Sequence, residues 1–208
     1  MADRLMKRIE CFKVMAELAG DALVVTGAGG NTVEWYACRP GDGNFRVRTM
    51  GLVSSIALGM ALGLPHRQVI AIDGDGSLLM NLSSLPTIAR KNPPNLTHVV
   101  LDNEVYEASG EIGTATGGAT DLVAMARGAG IRTASWAASP DELGSRFSEA
   151  LQGRDAAFIG LKVETSRSEV PPYPMDEVEN KYRFIRHVEQ TEGMNILSMP
   201  MPVSFLKD

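Results

Sequence analysis

The chain has 208 residues, 44% hydrophobic and 22% charged, with a formal net charge of −5 at pH 7. Such a length supports one substantial domain or two small ones, and such a composition belongs to a packed globule rather than a disordered chain. The negative balance, with no basic run, excludes an electrostatic footprint for nucleic acid or an acidic membrane.

Leu5, Ile9, Phe12, Ala16 and Ala19 recur at helical steps and predict a first helix, closed by Gly20. Residues 22–26 (ALVVT) read as a buried strand that runs into the glycine cluster 27–30. The polar stretch 39–44 reads as a surface loop. Residues 51–64 form an apolar helix ended by Pro65, and residues 69–73 (VIAID) and 97–101 (THVVL) form two further buried strands. Pro86 fits the first turn of a new helix beginning after Leu85. Residues 121–129 predict a helix with Leu122, Met125, Ala126 and Ala129 on one face. Ser139 and Glu142 read as a capping box with Pro140 at the first helical position, and Gly153 ends that helix. Residues 157–163 (AFIGLKV) form the last strand. Near-continuous apolar strands alternating with helices predict an α/β fold, a doubly wound parallel sheet with helices on both faces. The domain expected from this pattern covers residues 1–165. Residues 166–208, rich in proline and without clear period, are expected to form a tail packed on the domain or on a partner subunit. No internal repeat is present.

Two cysteines, Cys11 and Cys38, without CxxC spacing exclude a disulfide framework and argue against structural zinc or an iron–sulfur cluster. No stretch approaches the ~18 apolar residues of a spanning helix. The opening MADRLMKRIE lacks the apolar core of a signal peptide, so a reducing cytoplasm is the expected compartment.

In a doubly wound sheet, ligands bind beyond the carboxyl ends of the strands. Three segments fall there: 27–31, 73–77 and 102–104. Gly74 and Gly76 let the backbone approach a phosphate, and free N–H groups opening the next helix favour an anion. Asp75 between them offers a hard oxygen suited to Mg²⁺, and Asn103 after the next strand offers a second, neutral one. Together they predict a metal–diphosphate cradle. A dinucleotide site is disfavoured, because 27–30 does not continue as GxGxxG and no acidic residue closes a following strand. No P-loop motif occurs.

These segments carry a resemblance. GDGSLLMNLSSLPTIA (74–89), VVLDNEVYEASG (99–110), MGLVSSIALGMALGLPHRQVIAIDGDG (50–76) and TDLVAMARGAGI (120–131) resemble the diphosphate-binding (PP) domain of thiamine-diphosphate enzymes. The nearest likeness is to the beta subunit of sulfopyruvate decarboxylase and the carboxyl-terminal half of phosphonopyruvate decarboxylase, from about Arg4 to about Glu164. The resemblance implies the thiamine-diphosphate-binding fold, with thiamine diphosphate and Mg²⁺ as cofactors. Asp75, the Asn103 side chain and the Val105 carbonyl would hold the metal. Gly74 would line the diphosphate site with Gly76 and Ser77, the latter two donating to the diphosphate. Tyr106 would complete the cofactor pocket, and Met50 would support the bent cofactor. The cofactor does the carbon chemistry while the protein orients it.

The chain departs from that pattern at Arg48-Thr49, where relatives often have glycine–serine, at Asp102, often asparagine, and at Glu111-Ile112-Gly113, near a glutamine-containing loop. The resemblance also implies that the catalytic glutamate lies on a separate pyrimidine-binding domain of about 150 residues, for which this chain has no room. The chain is therefore expected to be one subunit of a hetero-oligomer, with no catalytic residue of its own and the glutamate on an alpha partner. The expected activity is decarboxylation of a small 2-oxo acid. Acetolactate-synthase-like carboligation and a non-catalytic scaffolding or regulatory homologue are the alternatives. A 2-oxo acid:ferredoxin oxidoreductase is disfavoured, since two unpaired cysteines cannot hold a cluster. Arg46 and Arg48 are candidates to meet an extra anionic group on the substrate. His98 reads as a core residue, and His66 and His187 as solvated. Tyr106, Glu107 and Ser109 either face the substrate or shape their loop. Trp35, Trp136 and residues 194–201 read as packing or subunit contacts.

Overall fold

A computed structural model describes residues 5–197. Arg4, where the resemblance begins, and the end of the proline- and methionine-rich segment, Met199 to Pro202 included, lie outside the described residues. In chain order the elements are α1 (Arg8–Leu18), β1 (Leu23–Thr26), α2 (Gly30–Cys38), β2 (Asn44–Arg46), α3 (Val53–Gly63), β3 (Val69–Gly74), α4 (Asp75–Leu79), α5 (Ser84–Lys91), β4 (Leu96–Asp102), β5 (Val105–Tyr106), β6 (Ile112–Gly113), α6 (Leu122–Gly128), β7 (Thr133–Ala137), α7 (Pro140–Gln152), β8 (Ala157–Lys162) and α8 (Glu177–Glu192). No helix among the described residues is long and apolar enough to cross a membrane.

Six strands form one sheet in the order β2-β1-β3-β4-β8-β7, every pair parallel. β5 and β6 form a separate antiparallel ribbon. The central strands are buried on both faces, which is why they read as unbroken apolar runs. Their side chains alternate between two cores. Val24, Ile70, Ile72, Val99 and Leu101 meet Phe12 of α1, Trp35 of α2 and Phe147 of α7. Val25, Val69, Ala71 and Val100 meet Val53 and Ala57 of α3, Leu85 and Ile88 of α5, and Leu122 and Ala126 of α6. The chain leaves β1 through α2 on one face to reach β2, then returns through α3 on the other face to β3. That reversal opens a crevice at the carboxyl ends of β1 and β3.

The structure corrects several expectations. The buried stripe of α1 is Arg8, Cys11, Phe12 and Met15, while Leu5 is exposed. The glycine cluster opens a helix, α2, whose first turn buries Asn31, Thr32 and Glu34 rather than apolar residues. The polar stretch after it ends in β2, whose Asn44 is buried because its amide takes Trp35 Nε1 at 2.8 Å and donates to the Arg39 and Gly41 carbonyls. β7 was not visible as a strand. The carboxyl-terminal segment does have a period: Asn180, Phe184 and Val188 line the buried side of α8. Asp176 caps that helix by accepting from the Glu179 N–H at 2.8 Å, and Gly193 ends it in the left-handed region. Phe184 and Val188 pack with Leu23, Leu64 and Phe45, so α8 covers the β2 margin of the sheet. Asn180 finishes the seal by accepting from the Arg46 N–H and donating to the Asn44 carbonyl.

The opposite margin, β7, is the last strand of the sheet. Arg127 Nε donates to the Ala134 carbonyl there at 2.9 Å. Arg132, Arg146 and Arg154 line the same shallow cleft, with Glu149 and Asp155.

Other expectations hold. Pro86 sits in the first turn of α5, which begins at Ser84. Ser139 caps α7 by accepting from the Glu142 N–H. His98 is fully buried against Phe158. Both cysteines are free thiols.

Candidate functional site

The crevice is a cavity of about 80 Å³ lined by residues 27–31, 74–77 and 103 from the three strand ends expected to converge, together with Met50, Val105 and Tyr106. Met50, Gly74, Asp75, Gly76, Ser77, Asn103, Val105 and Tyr106 are thus brought together. The volume is well below the roughly 300–1,000 Å³ of a site that encloses a small molecule. These residues line a crevice too small to enclose a small molecule by itself.

Each position has a local cause. β3 delivers Asp75 to the crevice, where it opens α4 with only 2% of its surface exposed. Its Oδ2 accepts from the Thr114 hydroxyl at 2.5 Å and lies 3.0 Å from the Thr116 hydroxyl. Thr116 also reaches Asp102 Oδ1 at 2.7 Å. A hydroxyl has one proton, so Thr116 donates to one of the two carboxylates and not to both. Burial, with the nearby Asp102 charge adding to it, pushes the Asp75 carboxyl above its ordinary value despite the two hydroxyls. Asp102 is paired with Lys162 at 2.9 Å, and the same ammonium also meets the exposed Glu104 at 2.6 Å. Among the described residues Asp75 has no cationic partner. A buried acceptor set that carries one negative charge too many fits a bound cation.

Gly76 has to be glycine. A Cβ there would lie 2.5 Å from the Tyr106 ring. Ser77 Oγ accepts from the Gly51 N–H at 3.0 Å, which leaves its own proton free to donate into the cavity. The Gly51 carbonyl takes Asn81 Nδ2 at 2.7 Å. The two bonds pin the turn that carries Met50, and Gly51 makes it with φ +83°. Across the crevice Asn103 and Val105 sit on a loop whose Glu104 adopts φ +65°. The Thr114 N–H ties that loop down by donating to the Glu104 carbonyl at 2.8 Å.

The family model described as "Thiamine pyrophosphate enzyme, C-terminal TPP binding domain" matches residues 42–161. The chain belongs to the thiamine pyrophosphate enzyme family. Within that family it is 36% identical over 192 residues to the sulfopyruvate decarboxylase subunit beta of Methanocaldococcus jannaschii, which covers 89% of this chain and 98% of the relative. It is 40% identical over 152 residues to the phosphonopyruvate decarboxylase of Streptomyces viridochromogenes, covering 73% of this chain and 38% of that one. Among solved structures, the benzoylformate decarboxylase of Polynucleobacter necessarius superposes with a TM-score of 0.65 at 17% identity. That likeness of fold covers 78% of this chain and about a third, 34%, of the decarboxylase chain.

Several residues around the crevice were not legible in the sequence. Thr114 and Thr116 arrive from the loop beyond β6, with no pattern beyond their alternation. Arg8 lines the cavity from the start of α1. Burial works against its charge, but hydrogen bonds to Glu34 and Glu107 outweigh it and hold the guanidinium above its ordinary pKa. Arg46 and Arg48, expected near a substrate anion, do not line the cavity. Arg48 pairs with Glu177, and the Arg46 guanidinium lies 5.0 Å over the Tyr173 ring. Glu107 faces the cavity paired to Arg8.

Proposed function

We propose that this chain is the diphosphate-binding subunit of a heteromeric, Mg²⁺- and thiamine-diphosphate-dependent decarboxylase of small 2-oxo acids. The observation that carries the reading is the buried Asp75 carboxylate, without a cationic partner among the described residues, facing Asn103 and Val105 across the crevice. Asp75, Asn103 Oδ1 and the Val105 carbonyl would supply three hard oxygens, and Mg²⁺ completes its shell with phosphate oxygens and water. Ser77 and the N–H groups opening α2 would bind the diphosphate. Met50, held by its pinned turn, would support the cofactor ring. When bound, thiamine diphosphate supplies the nucleophile and electron sink for loss of CO₂. The chain's own residues bind, orient and shield.

The small cavity supports a second wall from another polypeptide. So does the pattern of relatives, since the beta subunit is matched over 98% of its length and the single-chain phosphonopyruvate decarboxylase over 38%. The partner would bring the pyrimidine-binding domain and its catalytic glutamate. Relatives named for sulfopyruvate and phosphonopyruvate make these the substrates to try first, and the free thiols Cys11 and Cys38 fit a reducing cytoplasm.

Assembled with its pyrimidine-domain subunit, the chain should release CO₂ and an aldehyde from one of these 2-oxo acids. The reaction should require Mg²⁺ and thiamine diphosphate and be lost in Asp75→Ala. A carboligated product in place of the aldehyde, or an Asp75→Ala enzyme with full activity, refutes the reading.

A further inference from the structure

Arg8 is 2% exposed and its guanidinium is forked between two carboxylates. Nη2 donates to Glu34 Oε1 of α2 at 2.7 Å, and Nη1 donates to Glu107 Oε2, beyond β5, at 2.8 Å. The start of α2 has been left bare to admit it, since a Cβ on Gly30 would lie 2.1 Å from Nη2. Glu107 Oε2 makes one more contact, accepting from Asn103 Nδ2 at 3.3 Å. A carboxylate only accepts, so the amide end that faces Glu107 must be the nitrogen. The other end, Oδ1, is then turned away toward the Val105 N–H, 3.2 Å off, and the cavity.

We propose that Arg8 and Glu107 are positioning residues that hold Asn103 with its oxygen, not its amide nitrogen, toward the metal. This rests on the function proposed above. An amide presents either end at nearly equal cost unless its neighbours decide, and a flipped Asn103 would aim two N–H groups at a cation. Glu107 and the Val105 N–H decide the orientation together, each holding one end of the amide, and Arg8 fixes Glu107. Lysine cannot replace Arg8, because a single ammonium point charge does not bridge two carboxylates as a guanidinium fork does. Glu34 anchors the far side of Arg8 without touching Asn103, so it separates positioning from mere stability.

The test uses the full chain assembled with its pyrimidine-domain subunit and Mn²⁺ as the probe. Bound metal is counted by electron paramagnetic resonance in the presence of thiamine diphosphate, with thermal unfolding recorded in parallel. Outer-sphere partners of metal ligands are worth about 10–100-fold in metal affinity. Glu107→Leu, which removes the oxygen that accepts from both Arg8 and Asn103, should weaken Mn²⁺ binding by about that factor, and Arg8→Lys should do the same if it folds. Glu34→Gln should show the reverse, a lowered melting temperature with Mn²⁺ affinity within about threefold of wild type. Wild-type affinity in Glu107→Leu, or equal metal loss in Glu34→Gln and Glu107→Leu, overturns the positioning role and leaves the functional reading standing. Failure of the wild-type protein to bind Mn²⁺ overturns both.

Discussion

If Asp75 awaits a cation, the same carboxylate must burden the metal-free protein and stabilise the loaded one. Asp75→Asn separates the two effects, because an asparagine oxygen still accepts from the Thr114 hydroxyl while the charge is gone. The carboxylates of Asp75 and Asp102 are bridged by Thr116 through contacts of 3.0 and 2.7 Å. At about 5 Å and an effective dielectric near 20, their repulsion is about 3 kcal/mol. Lys162, 2.9 Å from Asp102, partly exposed and shared with Glu104, offsets about half of it. The metal-free Asn variant should therefore be about 1–2 kcal/mol more stable than wild type at pH 8, or about 2–6 °C in melting temperature for a chain of this size. Adding Mg²⁺ and thiamine diphosphate reverses the order, since ligand at a hundred times its Kd stabilises wild type by about 2.7 kcal/mol and the variant not at all. The pH dependence has a definite sign. The Asp75 pKa in the fold stands above its ordinary 3.8, chiefly through burial. The folded chain thus holds that proton more tightly than the unfolded one, and stability falls as pH rises through this interval. The two proteins should converge as pH drops toward 3.8 and differ most above the folded value. Thermal unfolding in a chelator from pH 4 to 8 reads this directly. A metal-free Asn variant that melts below wild type at pH 8, or a gap that does not narrow on acidification, refutes the reasoning.

Gly76→Ala should displace the Tyr106 ring, 2.5 Å from the new Cβ, costing about 1–3 kcal/mol of stability and most of the thiamine diphosphate affinity; calorimetric titration and melting check it. Phe184→Ala removes the ring packed 5.1 Å from Phe45 and should lower stability by about 3–4 kcal/mol, read from the urea midpoint; a loss under about 1 kcal/mol would mean that α8 is an ornament. Burial pushes the Cys11 thiol up to about 12, so a thiol reagent at pH 8 should find it only after unfolding, and rapid labelling of both cysteines in the native state would contradict the packing of α1. Gly160→Ala places a Cβ 2.6 Å from the Trp136 ring and should shift tryptophan fluorescence, because that ring has to leave its place over β8.

What the residues announced, and what they concealed, follows from how far apart the interacting groups lie. β3, β4 and β8 were legible because burial on both faces demands unbroken apolar runs, and α7 because Ser139, Pro140 and Glu142 are local signals. The Gly74-Asp75-Gly76 turn and Asn103 were legible because strand ends of a parallel sheet share one edge. α2 was concealed because its opening glycines imitate a loop and its buried residues are polar, satisfied by groups elsewhere in the chain. α1 was assigned the wrong stripe for the same reason. Arg8 is drawn inward by Glu34 and Glu107, and the latter stands 99 positions away, beyond the reach of any helical period. Thr114 and Thr116 likewise meet Asp75 only in the fold. α8 was missed although Asp176 and Gly193 are ordinary end signals, because Asn180 interrupts its apolar stripe to satisfy backbone at the sheet margin.

The two margins of the sheet are treated unequally, and this bears on how the molecule behaves at high concentration. With the β2 side of the six-stranded sheet roofed by α8, its β7 side is left as the margin that offers main-chain groups to a foreign strand among the described residues. There Arg127 already occupies one carbonyl, and three further guanidinium groups stand alongside. Arg132 and Arg146 are paired with Asp155 and Glu142, so a strand arriving at this flank meets hydrated ion pairs that must be stripped of water before any ladder forms, a standard defence against runaway fibril growth. Replacing Arg132 and Arg154 with apolar residues should raise the tendency to associate edge to edge at high concentration.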